Sequence, residues 1–293
     1  MIVVSITGGL GNQMFQYAFG KAVAERLNVP LMLDISFYNS FKNLSLEQPR
    51  NFNLDIFNIS SKELSKEKLD EFVCSGNELF KKGLFRIRRL LTSKTIFKEK
   101  KPLCFDPNVF NIKDNTYLTG YWQTEKYFIG IRDLLINEFT LKSISPEAQI
   151  LEKQVNSDNS VSLHIRRGDY TQTNNRNFHG LLSPDYYVKA IELVKNQLSD
   201  PVFYIFSDDP EWVLSKFNMI DNYQLVSGKG PLRPAEEMFL MSKCKHNIIA
   251  NSSFSWWGAW LNTNPSKIVI APKSWIVNTP VDAAILPQQW RDI

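Results

Sequence analysis

A short apolar strand followed by a helix is the unit that the second half of the chain repeats. The strand-like runs SLHI, VFYIF, YQLV, HNIIA and KIVIA alternate with helical patterns at 184–198, 210–217, 234–243 and 254–262. Strands joined by helices pair in parallel and carry helices on both faces of their sheet. The start of the chain follows the same rule, with strands at 2–6 and 29–33 around a helix at 12–27. The sequence therefore predicts an α/β fold.

Length and polarity predict two domains and the place where they meet. With 293 residues, of which 43% are hydrophobic, the chain is long enough to bury two cores. The stretch SPEAQILEKQVNSDNS, residues 145–160, is polar and separates the two series of strands. We therefore expect an N-terminal domain at 1–145, a second domain at 158–275 and a tail at 276–293. A short helix is also expected at 61–75.

Charge, cysteines and apolar runs favour a cytoplasmic enzyme. A net charge of +4 and a pI of about 8.8 allow an anionic partner without specifying one. Cys74, Cys104 and Cys244 have neither disulfide nor metal spacing, so we expect small buried residues in a reducing compartment. We recognise no signal peptide, no apolar run of about 18 residues that would predict a membrane span, and no HExxH motif. Neither a membrane span nor a metal site is expected.

The stretch VSLHIRRGDY, residues 161–170, brings two arginines to the end of a predicted strand. Apolar and polar residues alternate along it, so His164 and Arg166 share the face that is not expected in the core. Planar, permanently charged guanidinium groups at this end of a strand suit phosphate, and open α/β sheets bind ligands there. We expect Gly168 to turn the chain at positive φ and to let a ligand approach. The stretch predicts an anion site at Arg166 and Arg167, with an ordinary surface turn as the alternative.

A second strand ends in two carboxylates. In FSDDPEWV, Asp209 precedes Pro210, which is typical of a helix N-cap. Asp208 lies at the mouth of the strand, where a carboxylate can accept the two adjacent donors of guanine or the hydroxyls of a ribose. The pair is therefore a candidate nucleoside contact, with helix capping as the alternative.

A third strand is followed by small polar residues and an aromatic helix, in IIANSSFSWWGAWL. Unpaired N–H groups and the helix dipole make such a helix start suitable for phosphate. The tryptophans that follow have the spacing of core residues. The candidate phosphate-binding residues are Asn251, Ser252, Ser253 and Ser255.

The loop GGLGNQMF, residues 8–15, nearly matches the dinucleotide-binding fingerprint. Met14 occupies its third position, where close packing of helix on strand requires glycine or alanine. Asp34 ends the next strand, where a ribose-binding acid belongs, so an NAD-dependent oxidoreductase is the alternative function. Otherwise the loop offers backbone N–H groups and amides to an anion or a sugar. The candidate residues are Gly9, Gly11, Asn12 and Gln13.

The segment KKGLFRIRRLLTSKTIFKEKK, residues 81–101, is strongly basic and contains apolar residues. A solvated basic helix and an amphipathic helix lying on anionic lipid are both consistent with this composition. We expect a loose peripheral contact with the inner face of the cytoplasmic membrane. No motif for DNA or RNA accompanies the segment, so no nucleic-acid partner is expected.

Five motifs follow one another over nearly the whole chain: GGLGNQMFQYAFGKAVA, GYWQTEKYF, HIRRGDY, FSDD and NSSFSWWGAWL. Together they resemble the bacterial α-1,2-fucosyltransferases of glycosyltransferase family 11. The resemblance implies a GT-B architecture, with two Rossmann-like domains facing each other across a cleft, and catalysis without a metal or other cofactor. It also implies transfer of L-fucose from GDP-β-L-fucose, with inversion, to the 2-hydroxyl of a galactose-type acceptor. The setting would be bacterial surface polysaccharide or O-antigen synthesis.

The resemblance also implies a role for each motif residue. Arg166 would hold the β-phosphate of the donor, with Arg167 in support. Asp169 is our candidate for the base that takes the acceptor proton, and the alternative is that it only orients Arg166 or the turn. The donor-binding residues are His164, Arg167, Asp208, Asp209, Asn251, Ser252, Ser253 and Ser255. The loop facing fucose and acceptor comprises Gly9, Gly11, Asn12 and Gln13.

Overall fold

The chain divides into two compact units. A computed structural model describes residues 1–41, 51–73, 94–157, 159–168, 180–216, 220–228, 230, 232–280 and 283–293. The first unit comprises Met1–Thr140 with Asp282–Ile285, and the second comprises Leu141–Val281 with Leu286–Ile293. Each is built on one parallel sheet with helices, so the α/β architecture predicted from the strand–helix alternation is confirmed.

The sheet of the first unit has the strand order β3-β2-β1-β5-β4, with every pair parallel. Its strands are β1 (Ile2–Ser5), β2 (Leu31–Asp34), β3 (Lys62–Glu63), β4 (Thr95–Lys98) and β5 (Thr116–Thr119). The helices are α1 (Leu10–Leu27), α2 (Ser36–Phe41), α3 (Lys66–Leu69) and α4 (Arg132–Glu138). Short 3₁₀ helices lie at Leu54–Ile56, Pro107–Asn111, Glu125–Tyr127 and Ile129–Ile131.

Helix α1 packs against its sheet through a glycine that the fingerprint motif does not include. A Cβ at Gly20 would lie 3.0 Å from Leu31 and 3.1 Å from Val4, so the helix approaches the sheet closely at this residue. Met14 is fully buried at the start of the helix. Asn28 ends the helix in the left-handed conformation, and its N–H bonds back to the last turn.

The sheet of the second unit has the order β11-β10-β9-β6-β7-β8, again with every pair parallel. Its strands are β6 (Ser160–Ile165), β7 (Val202–Ser207), β8 (Tyr223–Leu225), β9 (His246–Ile248), β10 (Val269–Ala271) and β11 (Arg291–Asp292). The helices are α5 (Pro146–Ser157), α6 (Pro184–Lys195), α7 (Pro210–Lys216), α8 (Pro234–Lys243) and α9 (Ser253–Leu261). The predicted tail at 276–293 thus contributes β11 to this sheet.

Two regions differ from the sequence-based expectation. The helix expected at 61–75 is wrong: β3 pairs with β2 there, and among the described residues 61–73 only the four of α3 are helical. Residues 146–157, expected to be a polar connection, form α5, because Ala148, Leu151 and Val155 fall on one face and pack into the core of the second unit. The hydroxyl of Ser145 accepts a hydrogen bond from the N–H of Ala148 and so caps this helix.

In both sheets the order in which the chain adds strands reverses at a central strand. In the first unit the chain runs outward from β1 through β2 and β3, and β5 then lies on the opposite side of β1. In the second unit it runs outward from β6 through β7 and β8, and β9 then lies on the opposite side of β6. Ligands of open α/β sheets bind at such switch points, outside the carboxyl ends of the strands. The loops after β1 and β5, and those after β6 and β9, therefore occupy the positions that favour binding.

A buried carboxylate ties α5 to α8. Glu236, in the first turn of α8, is fully buried and accepts hydrogen bonds from the N–H groups of Ser145 and Arg233, at 2.7 and 2.9 Å. The Arg233 guanidinium adds a third bond at 3.1 Å. Burial opposes ionisation, but the hydrogen bonds from Arg233 and Ser145 outweigh it and lower the pKa of Glu236 to about 2. The group is thus a buried anion with its partners in place.

We expect Glu236→Ala to destabilise the protein by about 2 kcal/mol, since it leaves two part-buried N–H donors and one half-exposed arginine without their acceptor. Urea unfolding at pH 7 measures the change. Glu192→Ala, on the exposed side of α6, is the matched control and should change stability by less than about 0.5 kcal/mol. Equal stability of the two variants would contradict the structural role of Glu236.

Candidate functional site

The two arginines and the two aspartates form a cluster because β6 and β7 pair in register. Ile165 lies opposite Ser207 at the ends of the strands, so the next two residues of each strand lie side by side. Arg166 Nη1 is 2.9 Å from Asp208 Oδ2, and Arg167 Nε is 3.2 Å from Asp209 Oδ2. The side chains are between 21% and 32% exposed, so solvent or a ligand reaches them. We call these four residues the Arg–Asp cluster.

Each aspartate of the cluster already has internal partners. Asp208 accepts Arg166 Nη1 on one oxygen and the N–H of Arg167 on the other, at 2.8 Å. Asp209 accepts a hydrogen bond from the N–H of Trp212 at 3.1 Å and so caps α7, as its place before Pro210 predicts. The aspartates therefore hold the arginines in position, a role that the sequence analysis did not assign to them.

Arg167 is held from a second side by an aromatic ring. Its guanidinium carbon lies 4.0 Å from the centroid of the Trp212 ring, within cation–π distance. The stack and the contact with Asp209 together restrain the Arg167 side chain. Trp212 follows Asp209 by three residues and so lies in the first turn of α7.

Gly168 is required for a different reason than expected. Its φ is not positive, so the turn does not need the left-handed conformation. A Cβ at this position would instead lie 2.6 Å from Asp208 Oδ2. Any residue other than glycine would therefore displace that carboxylate. Glycine therefore allows Asp208 to approach the backbone. Asp169, the candidate base, lies outside the described residues.

His164 lies beneath the cluster in a closed environment. All six residues of β6 are buried, so the face that carries His164 is covered, contrary to the open face expected from the alternation. Burial and then the positive charge of Arg166 lower the pKa of His164 to about 3, which makes the ring neutral at physiological pH. Its centroid is 5.7 Å from that of Phe254 in α9. Its Nδ1 atom is buried and has no hydrogen-bond partner among the described residues.

The start of α9 lies on the other side of the switch point. Ser252 is the N-cap and accepts from the N–H of Phe254, and the Ser255 hydroxyl donates to the carbonyls of Ala250 and Ser252. The amide of Asn251 donates to the carbonyls of Gly180 and Trp275. These three side chains are buried and support the loop. Ser253 is half-buried. Of the four residues predicted to bind phosphate at this helix start, it is the one whose hydroxyl is most accessible to a ligand.

Glu237 is a further member of this region that the sequence analysis missed. It is half-buried in the first turn of α8, bonds with the side chain of Ser227 and lies near Asp208. Burial, with a contribution from the negative charge of Asp208, raises the pKa of Glu237 to about 7, although the bond with Ser227 opposes this. A carboxyl group whose pKa lies near neutrality, next to paired charges at the ends of parallel strands, is typical of a functional site.

The loop after β1 is held by its own side chains. Gln13 is fully buried: its Nε2 donates to the carbonyls of Gly8 and Asn51, and its Oε1 accepts from the N–H of Asn53. Gly9 is the N-cap of α1 and Gly11 lies buried in its first turn. Gln13 therefore supports the loop, whereas Asn12 is only half-buried and bonds with the side chain of Gln123 at 2.9 Å.

Asp34 does not have the surroundings of a ribose-binding acid. It is 5% exposed, and its two oxygens accept hydrogen bonds from the Tyr117 hydroxyl at 2.6 Å and the N–H of Ser36 at 2.9 Å. The carboxylate is therefore used inside the first unit. Together with the buried side chain of Met14, this disfavours the NAD-dependent oxidoreductase.

Two features are absent from the described residues. No group of three or more His, Cys, Asp or Glu side chains there is placed to hold a metal ion. No helix in the same part of the chain is long and apolar enough to cross a membrane. Most of the basic segment 81–101 lies outside the described residues, which resume at residue 94.

The raised pKa of Glu237 has a measurable effect on stability. Between the ordinary value of 4.5 and about 7, the folded protein keeps a proton that the unfolded chain has lost, so stability falls as the pH rises through this window. Glu237→Gln removes the effect. The stability of this variant relative to the unsubstituted protein should increase by about 3 kcal/mol from pH 4.5 to pH 8. Urea unfolding at both pH values, with Glu192→Gln as control, tests this, and a difference that does not change with pH would contradict it.

Comparison with known proteins gives a consistent result. All residues, 1–293, match the model of glycosyl transferase family 11. The chain is 38% identical to the O-antigen biosynthesis glycosyltransferase WbnK of Escherichia coli, over 92% of this chain and 93% of that protein. It is 35% identical to an α-1,2-colitosyltransferase of Escherichia coli, over 99% of this chain and 98% of that protein.

Solved structures share the fold. The fucosyltransferase NodZ from Bradyrhizobium matches with a TM-score of 0.52 and 14% identity, over 88% of this chain and 90% of that one. A variant of Arabidopsis thaliana FUT1 in complex with GDP matches with a TM-score of 0.52 and 12% identity, over 98% of this chain and 75% of that one. At these identities the likeness concerns the fold alone. The resemblance stated from the five motifs is confirmed by the family match: the chain belongs to glycosyl transferase family 11.

Proposed function

We propose that this glycosyltransferase moves L-fucose from GDP-β-L-fucose, with inversion, to the 2-hydroxyl of a galactose-type acceptor, in the synthesis of O-antigen or a related surface polysaccharide. The observation that carries the proposal is the Arg–Asp cluster, which presents two oriented guanidinium groups at a switch point, with the start of α9 on its other side. The relatives support the setting, because one is named for O-antigen biosynthesis and another for α-1,2 transfer of colitose.

The chemistry requires positive charge on one side of the sugar. The acceptor oxygen attacks the anomeric carbon from the face opposite the diphosphate, and the bond between that carbon and the β-phosphate oxygen breaks. Its electron pair goes to the phosphate, so negative charge grows on GDP as it leaves. Oriented guanidinium groups and helix N–H groups stabilise such charge without reorganising. We therefore propose that Arg166, supported by Arg167 and the start of α9, takes the place of a metal ion.

The acceptor hydroxyl loses its proton to a base in the same step. We retain Asp169 as the proposed base, because it is a carboxylate two residues past the cluster's second arginine. Nucleoside recognition is assigned to Glu237, which is half-buried beside the cluster. Both oxygens of Asp208 and both oxygens of Asp209 already have partners within the second unit, and the His164 ring is buried beneath them. Peripheral membrane contact through 81–101 stays a prediction.

Product formation tests the function directly. Purified protein incubated with GDP-fucose and lactose in excess EDTA should release GDP and form a trisaccharide with fucose on the galactose 2-hydroxyl, as shown by NMR. UDP-galactose should give no product. Activity that EDTA abolishes and Mg²⁺ restores would contradict the role given to the arginines. Colitose is the 3-deoxy counterpart of fucose. Product from GDP-colitose and none from GDP-fucose would contradict only the proposed identity of the donor sugar.

Substitution of the arginines tests the mechanism. Arg166→Lys keeps the charge but loses the planar fork, so kcat should fall by roughly 100-fold, with a smaller change in the KM for the donor. Arg167→Lys should reduce kcat less, because Arg167 is assigned a supporting role. Arg291→Lys, on the exposed strand β11, is the matched control and should leave kcat unchanged. A near-normal kcat of Arg166→Lys would mean that Arg166 does not act on the leaving phosphate.

A further inference from the structure

The switch point of the first unit is formed by two loops that touch each other. The loop after β1, residues 8–13, and the turn after β5, Gly120–Gln123, flank the place where the strand order reverses. A hydrogen bond of 2.9 Å from Gln123 Nε2 to Asn12 Oδ1 joins them. The carboxyl ends of parallel strands at a switch point are where open α/β sheets bind ligands. The loop after β1 was expected to face fucose and acceptor, but no role has so far been given to the turn after β5.

The turn after β5 has a strained backbone. Trp122 has a φ of 57°, in the left-handed region that a bulky residue rarely adopts, and Gly120 has a φ of 157°. A Cβ at Gly120 would lie 2.4 Å from the Cβ of Glu99, so only glycine fits. A conformation of this kind costs about 1–3 kcal/mol and persists only where its surroundings fix it, which is common at ligand-binding sites.

Three groups fix this turn. The carboxylate of Glu99 accepts the N–H of Tyr121 on one oxygen, at 2.7 Å, and the N–H of Trp122 on the other, at 3.1 Å. Gln16 donates to the carbonyl of Gly120 at 3.1 Å. The Trp122 ring is fully buried and stacks on Phe19, with 4.2 Å between the centroids. The conformation is therefore firmly held.

The turn presents an aromatic ring with two amides. Tyr121 is 42% exposed, although the residue after it is fully buried. Gln123 and Asn12 are half-buried, and the bond between them leaves the Asn12 Nδ2 donor and the Gln123 Oε1 acceptor without partners among the described residues. A pyranose ring offers an apolar face of C–H groups and an edge of hydroxyls that both donate and accept. The turn carries an exposed aromatic ring and one of two paired amides, which match these two features.

We propose that the Gly120–Gln123 turn and Asn12 form the acceptor subsite of the first unit, in which the Tyr121 ring stacks on the galactose-type residue and the two amides bind its hydroxyls. This inference rests on the proposed function, since it assigns the acceptor of that reaction to these residues. Glu99 is a positioning residue: it acts through the turn that carries Tyr121 and does not touch the sugar.

Substitution of Tyr121 tests the subsite, and its exposure makes misfolding of the variant no concern. Tyr121→Ala should raise the KM for lactose at least about 10-fold and leave the KM for GDP-fucose unchanged, since only the sugar stack is lost. Tyr121→Phe should restore most of the lost affinity. Phe110→Ala is the matched control, because Phe110 is an exposed aromatic residue of the same unit whose ring contacts Phe105 and Arg26.

The positioning role of Glu99 has its own signature. Glu99→Gln replaces one of two acceptors with a donor, so it should raise the KM for lactose while the KM for GDP-fucose and the slow hydrolysis of GDP-fucose without acceptor stay unchanged. Glu99→Asp should recover part of the loss. A parallel loss of donor hydrolysis in Glu99→Gln would overturn the assignment of Glu99 to the acceptor side.

Direct binding separates this inference from the proposed function. Saturation-transfer NMR with methyl β-D-galactopyranoside should show transfer from aromatic protons of the unsubstituted protein and a large loss of transfer in Tyr121→Ala. An unchanged signal and an unchanged lactose KM in Tyr121→Ala, in a protein that still turns over GDP-fucose, would overturn the subsite alone. Absence of GDP-fucose turnover in the unsubstituted protein would overturn the proposed function instead.

Discussion

The parallel pairing of β6 with β7 is the constraint on which the site depends. Two adjacent arginines repel each other, and the chain offsets this by delivering two adjacent aspartates from the next strand in the same register. A shift of the register by one residue would leave one guanidinium without its partner and would exchange the side chains that pack on the two covered faces of the strand. The charge balance and the packing of the sheet are therefore fixed by the same set of backbone hydrogen bonds.

The two units have the same arrangement of strands and loops but carry different side chains on those loops. Each has a strand-order reversal at its centre and two loops that meet there. In the second unit these loops carry guanidinium groups and a helix start, which suit phosphate. In the first they carry amides and an exposed aromatic ring, which suit a neutral sugar. One kind of sheet can therefore present groups suited to an anion in one unit and groups suited to a neutral ligand in the other, with only the loops at the carboxyl ends of its strands changed.

Local patterns predicted the elements well where one signal dominated. The helix at 234–243 is found as expected, because Pro234 starts it and apolar residues come after it at helical spacing. The sequence also identified the arginine strand and the cap at Asp209. It missed the partners of these residues, since the contacts of Arg166 with Asp208 and of Arg167 with Trp212 join residues about 40 positions apart. Glu237 was missed for the same reason: its pKa depends on burial and on Asp208, which no local pattern encodes.

The stack of Arg167 on Trp212 also gives the molecule an optical probe. All seven tryptophans lie in the described part of the chain, and all except Trp212 are buried. A collisional quencher in solution therefore reaches Trp212 in preference to the other indoles. Because the ring of Trp212 is in contact with a guanidinium of the cluster, its emission responds to the local field there. The native fluorescence thus reports on the electrostatic state of one corner of the second unit, with no label attached.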